Sequence, residues 1–157
     1  MSKPTATFRS ALVLAGFILI TFCAPLAGMF SLPGARYEAL SKPSWNPPAW
    51  IFGPAWTLLY TLMAVAAWLV WKRDGWRRPL MLYFVQLVLN AAWTPLFFGA
   101  HQLGWALVEI CVLWIAILLT MLSFHPVNKA AGWLFVPYLA WVTFATVLNF
   151  TLWRLNA

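Results

Sequence analysis

Charge is what this chain has least of. Lys, Arg, Asp and Glu make up only 8% of its 157 residues, whereas a soluble domain carries about 25%, because its surface faces water. A soluble globule of this size is therefore excluded, and lipid is the surrounding that fits. Carboxylates are scarcest: Glu38, Asp74 and Glu109 are all there are. No two of them stand at helical spacing, so paired-carboxylate chemistry has no basis here. The chain of intramembrane acids and the internal repeat expected of a proton-coupled secondary transporter are missing too. Cys23 and Cys111 lie singly in apolar stretches, which excludes a disulfide framework and a CxxC motif. His101 and His125 are separated by a long apolar run, too far apart to share a metal. There is no Gly-rich phosphate loop and no nucleophile with a base beside it. The expectation is a protein with no catalytic residues, no metal and no cofactor, and ligand binding is left standing.

What the chain has is apolar surface. Hydrophobic residues make up 64%. Runs long enough to cross the ~30 Å hydrocarbon core at ~1.5 Å per residue fall at about 8–30, 48–71, 79–99, 104–124 and 129–153. The predicted fold is all-α, an integral membrane bundle of five transmembrane helices forming a single domain over 1–157. The first run is too long for a signal-peptide core, and Cys23-Ala24-Pro25 is a poor cleavage context. The formal charge of +7 belongs to residues flanking the runs, as topology determinants do, and not to a nucleic-acid surface. Lys3, Arg9, Lys72, Arg73, Arg77, Arg78 and Lys129 fall on one side, and Arg36, Lys42 and Arg154 on the other. That asymmetry predicts a cytoplasmic N-terminus in a bacterial cell membrane. Three connections are short. The fourth, 31–47, exceeds the ~12–15 residues usual within a compact domain. It ends in the stiff run Lys42-Pro43-Ser44-Trp45-Asn46-Pro47-Pro48, and it reads as an ordered lid. Asn46 is expected to cap the second helix, with Pro47 at its first position.

Tryptophan is abundant, at twelve residues. Trp50, Trp68, Trp71, Trp76, Trp105, Trp133 and Trp153 fall near span ends, where interfacial belts form. Trp56, Trp93, Trp114 and Trp141 lie deeper, where an indole N–H needs a partner. Three helical stripes stand out. Phe52, Trp56 and Tyr60 share one face, as do Asn90, Trp93 and Phe97, and as do Tyr138, Trp141, Ala145 and Leu148. All lie at mid-depth or toward the long loop. They fit an aromatic-lined cavity under a lid, suited to a flat and largely apolar ligand; a tightly packed aromatic core without a cavity gives the same pattern. Asn90 is a helix bridge or a ligand contact. Glu109, about 7.5 Å down, snorkels, stays protonated or faces the cavity. Pro25, Pro54, Pro95 and Pro137 interrupt four spans.

Three segments carry a resemblance. They are Lys42 through Trp56, with Lys-Pro-Ser-Trp-Asn-Pro-Pro at its start; Leu89-Asn90 through Trp93, Pro95 and Phe97-Phe98-Gly99 to Gly104-Trp105-Ala106-Leu107; and Pro137-Tyr138-Leu139-Ala140-Trp141 with Phe144-Ala145-Thr146. In this order they resemble the translocator protein/tryptophan-rich sensory protein family, once called the peripheral benzodiazepine receptor, over about residues 25–155. The resemblance implies a five-helix bundle that binds porphyrins and aromatic drug-like ligands, with pocket residues Tyr37, Trp56, Asn90, Trp93, Trp105, Trp141, Ala145 and Leu148. It implies a receptor or carrier for protoporphyrin IX or a haem-like tetrapyrrole, acting in tetrapyrrole transport or stress regulation. The alternatives are an enzyme that degrades protoporphyrin IX oxidatively in light, with Trp56 and Trp141 as redox partners, and a structural membrane protein without a ligand. A homodimer is implied by the resemblance, although Leu80 to Leu89 offers no small-xxx-small pair. Sterol binding is not expected, because Phe150 stands where the family's C-terminal sterol motif needs Tyr.

Overall fold

The structure, a computed structural model, describes residues 4–28, 31 and 34–157. Among them it forms helices α1 (Pro4–Cys23), α2 (Ala35–Glu38), α3 (Phe52–Asp74), α4 (Arg78–Thr94), α5 (Leu103–Val127), α6 (Lys129–Trp133) and α7 (Val136–Asn156). α3 and α5, of 23 and 25 residues, are about 35 and 37 Å long at ~1.5 Å per residue, enough to cross the hydrocarbon core. With their flanking turns, five helical stretches are long and apolar enough to span a membrane. Their outward faces carry Leu12, Leu19, Val85, Val88, Leu119 and Leu122. The chain is a multi-pass integral membrane protein, and lipid covers these faces.

Prolines decide where the helices break. α1 gives way at Cys23 to a 3₁₀ turn, Ala24–Gly28, around Pro25. The expected end of the first span at Phe30 lies outside the described residues, as does Lys3. α4 yields at Pro95 to a π-helical turn, Pro95–Gly99. The last span is two helices, because Pro137 has no N–H to donate back one turn and the chain breaks at Leu134–Phe135 between α6 and α7. Pro54 is harmless within the first turn of α3, where amides lack partners in any case. Pro126 lies in the last turn of α5, which runs to Val127. The expected cap on the second helix is corrected. A 3₁₀ turn, Ala49–Ile51, precedes α3, and the Asn46 amide N–H donates instead to the Pro47 carbonyl at 3.1 Å. Pro47 and Pro48 hold the chain extended here, which delays the helix.

α4 packs on α5, α5 on α7 and α1 on α3, with α6 wedged against α3 and α5. Small residues permit the close approaches: Ala64, Ala66 and Ala67 of α3 are fully buried. Polar side chains also join helices. The Trp68 indole donates to the Ser10 carbonyl at 3.0 Å, and the Trp114 indole to the Thr143 hydroxyl at 2.8 Å. Thr21 and Tyr83 share a hydrogen bond. The α3–α4 turn is closed by an Arg77–Asp74 ion pair at 3.1 Å and by Gly75 at φ 67°. At the same end Arg73 reaches the Val127 carbonyl at 3.5 Å. This end carries the basic excess, and the lid lies at the other. Single cysteines at Ser41 and Gly75, in a background lacking Cys23 and Cys111, are therefore expected to react with an impermeant maleimide from opposite sides of the membrane, Gly75 from the cytoplasm. Labelling of both from one side would refute the arrangement.

Candidate ligand-binding site

The lid-side halves of α3, α4, α5 and α7 do not meet at the centre. Their inward faces leave a cavity of about 630 Å³ that the segment from Tyr37 to Ala49 covers. That is within the ~300–1,000 Å³ of small-molecule sites. One wall is α3 against α7. The Trp56 ring stacks on Tyr60 (centroids 5.3 Å, 25°) and meets Trp141 edge to face (6.4 Å, 82°). Phe52 also meets Trp141 edge to face, at 5.9 Å. Another wall is Trp93, near the end of α4, with Phe98 in the turn that follows; Trp93 meets Phe98 edge to face at 6.0 Å, and Phe98 stands edge-on to Tyr37 at 5.2 Å. The i, i+4 spacing of Phe52, Trp56 and Tyr60 aims all three rings inward. Ala145, one turn beyond Trp141, keeps the α7 wall recessed.

A hydrogen-bonded chain forms the floor. The Tyr60 hydroxyl donates to the Asn90 amide oxygen at 2.8 Å, and the Asn90 amide N–H donates to the Tyr138 hydroxyl at 2.9 Å. α3, α4 and α7 are thereby tied at one level through groups that are all buried. A second tie fixes the α4 wall. The Trp93 indole donates to Asn149 at 3.3 Å, whose amide donates to the Leu103 carbonyl at 3.0 Å.

The lid is fastened at several points. The Ser41 backbone N–H donates to the Asn156 amide oxygen at 2.9 Å, and the Asn156 amide returns a bond to the Ser41 carbonyl at 3.0 Å. Trp45 rests edge-on against Phe144 at 6.0 Å. Lys42 donates to the Glu38 carbonyl at 2.9 Å. Burial raises the pKa of the Tyr37 phenol above its ordinary value; an Asn46 hydrogen bond opposes the shift and the Glu38 charge adds to it. Tyr37 is thus a neutral donor at the mouth.

Of the residues expected at the site, Tyr37, Trp56, Asn90, Trp93, Trp141 and Ala145 line this cavity. Trp105 does not. It is 67% exposed on the outer face of α5, about 100° around the helix from buried Ala106. Leu148 faces inward but packs with Phe97, Ala106 and Leu152 in a separate apolar cluster. Glu109 does not snorkel: both carboxylate oxygens are buried without a hydrogen-bond partner among the described residues, and it does not line the cavity. Lys42, Asn46, Pro47, Pro48 and Phe98 also line it and were not expected to. The first four lie in the lid, where no helical periodicity indicates which side chains turn inward. Among the described residues no three His, Cys, Asp or Glu side chains gather. The chemistry on offer to a ligand is aromatic stacking, a few amides and phenols, and one amine.

Comparison with known proteins places this architecture. The sequence profile described as the TspO/MBR family matches residues 9–154. The chain is similar to the translocator protein of Homo sapiens (46% identical over 125 residues, 76% of this chain and 74% of that one). It is similar to the tryptophan-rich sensory protein of Cereibacter sphaeroides (46% over 129 residues, 82% of each). The protein CrtK of Rhodobacter capsulatus is 39% identical over 151 residues, 94% of each chain.

Proposed function

The chain belongs to the TspO/MBR family, and from that premise we propose that it is a membrane receptor or carrier for porphyrin-like tetrapyrroles, held in the cavity beneath the lid. The observation that carries this reading is the shape of the cavity walls. Two aromatic groups, Trp56 stacked on Tyr60 and Trp93 edge to face with Phe98, line one space of about 630 Å³. A flat conjugated ring offers π-faces to both. Each aromatic contact adds about 0.5–1.5 kcal/mol beyond burial of area. The hydrophobic surround suits a ligand that partitions into the bilayer, and the lid confines it once bound.

The test is a titration of the purified protein with protoporphyrin IX, read by quenching of tryptophan emission. Saturable quenching is expected, because Trp56, Trp93 and Trp141 all border the cavity. Ala145→Leu fills the recess in the α7 wall and is expected to weaken binding about tenfold, in line with the ~1–3 kcal/mol cost of forcing extra methylenes into occupied space. Its thermal midpoint should stay near that of the unaltered protein, since the added carbons enter a void. Unsaturable quenching, or an Ala145→Leu variant that binds equally well, would place the ligand elsewhere.

A further inference from the structure

The cavity is apolar at its floor and walls, yet its lid end is charged. Among the described residues, Glu38 and Lys42 are the only charged ones that line it, and they are not equivalent. The Lys42 side chain is 22% exposed, while that of Glu38 is 76% exposed and turned to water. Three contacts hold the Lys42 ammonium inward: the Glu38 carbonyl at 2.9 Å, the Tyr37 ring face at 4.8 Å, and the Glu38 carboxylate at 3.8 Å. The first two partners are neutral. The third lies beyond hydrogen-bonding distance and is screened by solvent. An ammonium has three donors, and these contacts satisfy one. Nearby, the Asn46 amide oxygen is buried without a partner among the described residues, its NH2 group being directed to the Pro47 carbonyl and the Tyr37 phenol. A buried acceptor left unpaired is costly unless something supplies a donor.

We propose that the lid end is a subsite for an acidic group, in which the Lys42 ammonium pairs with a carboxylate of the ligand, so that the cavity selects acidic amphiphiles over neutral ones of the same shape. This deepens the tetrapyrrole reading and rests on it. Protoporphyrin has the matching chemistry: an apolar ring that enters between the aromatic walls, and carboxylates at one edge. A charge-assisted bond beneath a lid is stronger than one on an open surface, because less water competes for either partner. A lysine serving only to pin the lid through the Glu38 carbonyl would make no such distinction between ligands.

The experiment compares protoporphyrin IX with its dimethyl ester, each titrated by tryptophan quenching. The unaltered protein is expected to prefer the free acid by about tenfold or more, the range of a hydrogen bond to a charged group. In Lys42→Met the preference should fall to near unity through loss of acid affinity, with ester affinity unchanged; the ester is thus the control for an intact cavity. Lys42→Arg should retain the preference. Glu38→Gln should enlarge it, because a competing anion is removed. A Lys42→Met variant that keeps the preference, or loses acid and ester in equal measure, overturns the proposal. Equal binding of acid and ester by the unaltered protein overturns the subsite and leaves the tetrapyrrole reading intact. Failure of both to bind overturns the two together.

Discussion

Asn90→Leu is expected to destabilise the protein by about 2–3 kcal/mol, one of the two largest effects anticipated for a single substitution. Leucine keeps the branching and heavy-atom count of asparagine, and most of the loss comes from the two phenols that Asn90 joins. Tyr60 loses the acceptor for its hydroxyl, and Tyr138, fully buried, loses its donor. A buried polar group left unpaired costs about 1–3 kcal/mol. Hydrogen bonds between membrane helices average only ~0.6 kcal/mol, because the unfolded chain in lipid also finds partners; that places the sum at the lower end. The measurement is reversible unfolding by SDS in mixed micelles. A triple variant, Asn90→Leu with Tyr60→Phe and Tyr138→Phe, separates the causes. Removing every polar atom of the chain leaves nothing orphaned, and most of the lost stability should return. A triple variant no more stable than Asn90→Leu would show that packing, and not polar satisfaction, governs this level of the bundle.

Gly132→Ala is the second. A methyl group at Gly132 would lie 2.9 Å from the Cα, Cβ and Nδ1 of His125. The Cα belongs to the backbone of α5 and has nowhere to retreat, so α6 must move off α5. Overpacking of this kind costs about 1–3 kcal/mol, and the upper end applies because backbone faces backbone. Gly16 provides the contrast. Nothing lies within 4 Å of a methyl group there, and Gly16→Ala in α1 should gain up to ~1 kcal/mol of helix propensity. The sign of the two substitutions should therefore differ in the same unfolding assay. Because Gly132 is at the end of the bundle away from the lid, Gly132→Ala should lower stability with little change in the ratio of acid to ester binding. Equal melting behaviour for the two alanine variants would contradict the close approach.

The sequence makes the membrane bundle legible for a simple reason: lipid imposes a length and a polarity on every spanning segment, and both are properties of short windows. The stripes through Trp56, Asn90 and Trp141 were legible through helical periodicity alone. Trp105 shows the limit. One residue along a helix is a turn of ~100°, so Ala106 can be wholly buried while its neighbour faces lipid, and no local signal in Gly104-Trp105-Ala106 distinguishes the two. Leu148 shows another. It shares a face with Trp141 and Ala145, but a stripe running toward the helix end leaves the cavity behind and enters ordinary packing with Phe97 and Leu152. The interruption at Pro95 was legible from the proline, but the π-helical turn it takes was not, because that turn packs against α5. The lid was legible as stiff. Which of its side chains face inward was not, because Lys42 and Asn46 are placed by tertiary contacts and no repeat aligns them.

The pairing of Ser41 with Asn156 has a consequence for biosynthesis. The two residues are 115 positions apart, and a ribosome adding ~5–20 residues per second needs roughly 6–23 s to pass from one to the other. Throughout that interval the first loop has been made and its anchor has not, and α7, which supplies Trp141, Ala145 and the resting place of Trp45, is also still to come. Until α7 is made, the cavity lacks one of its walls and the lid lacks its anchor. Fastening of the lid is therefore coupled to the arrival of the final helix, and the site is completed last in synthesis.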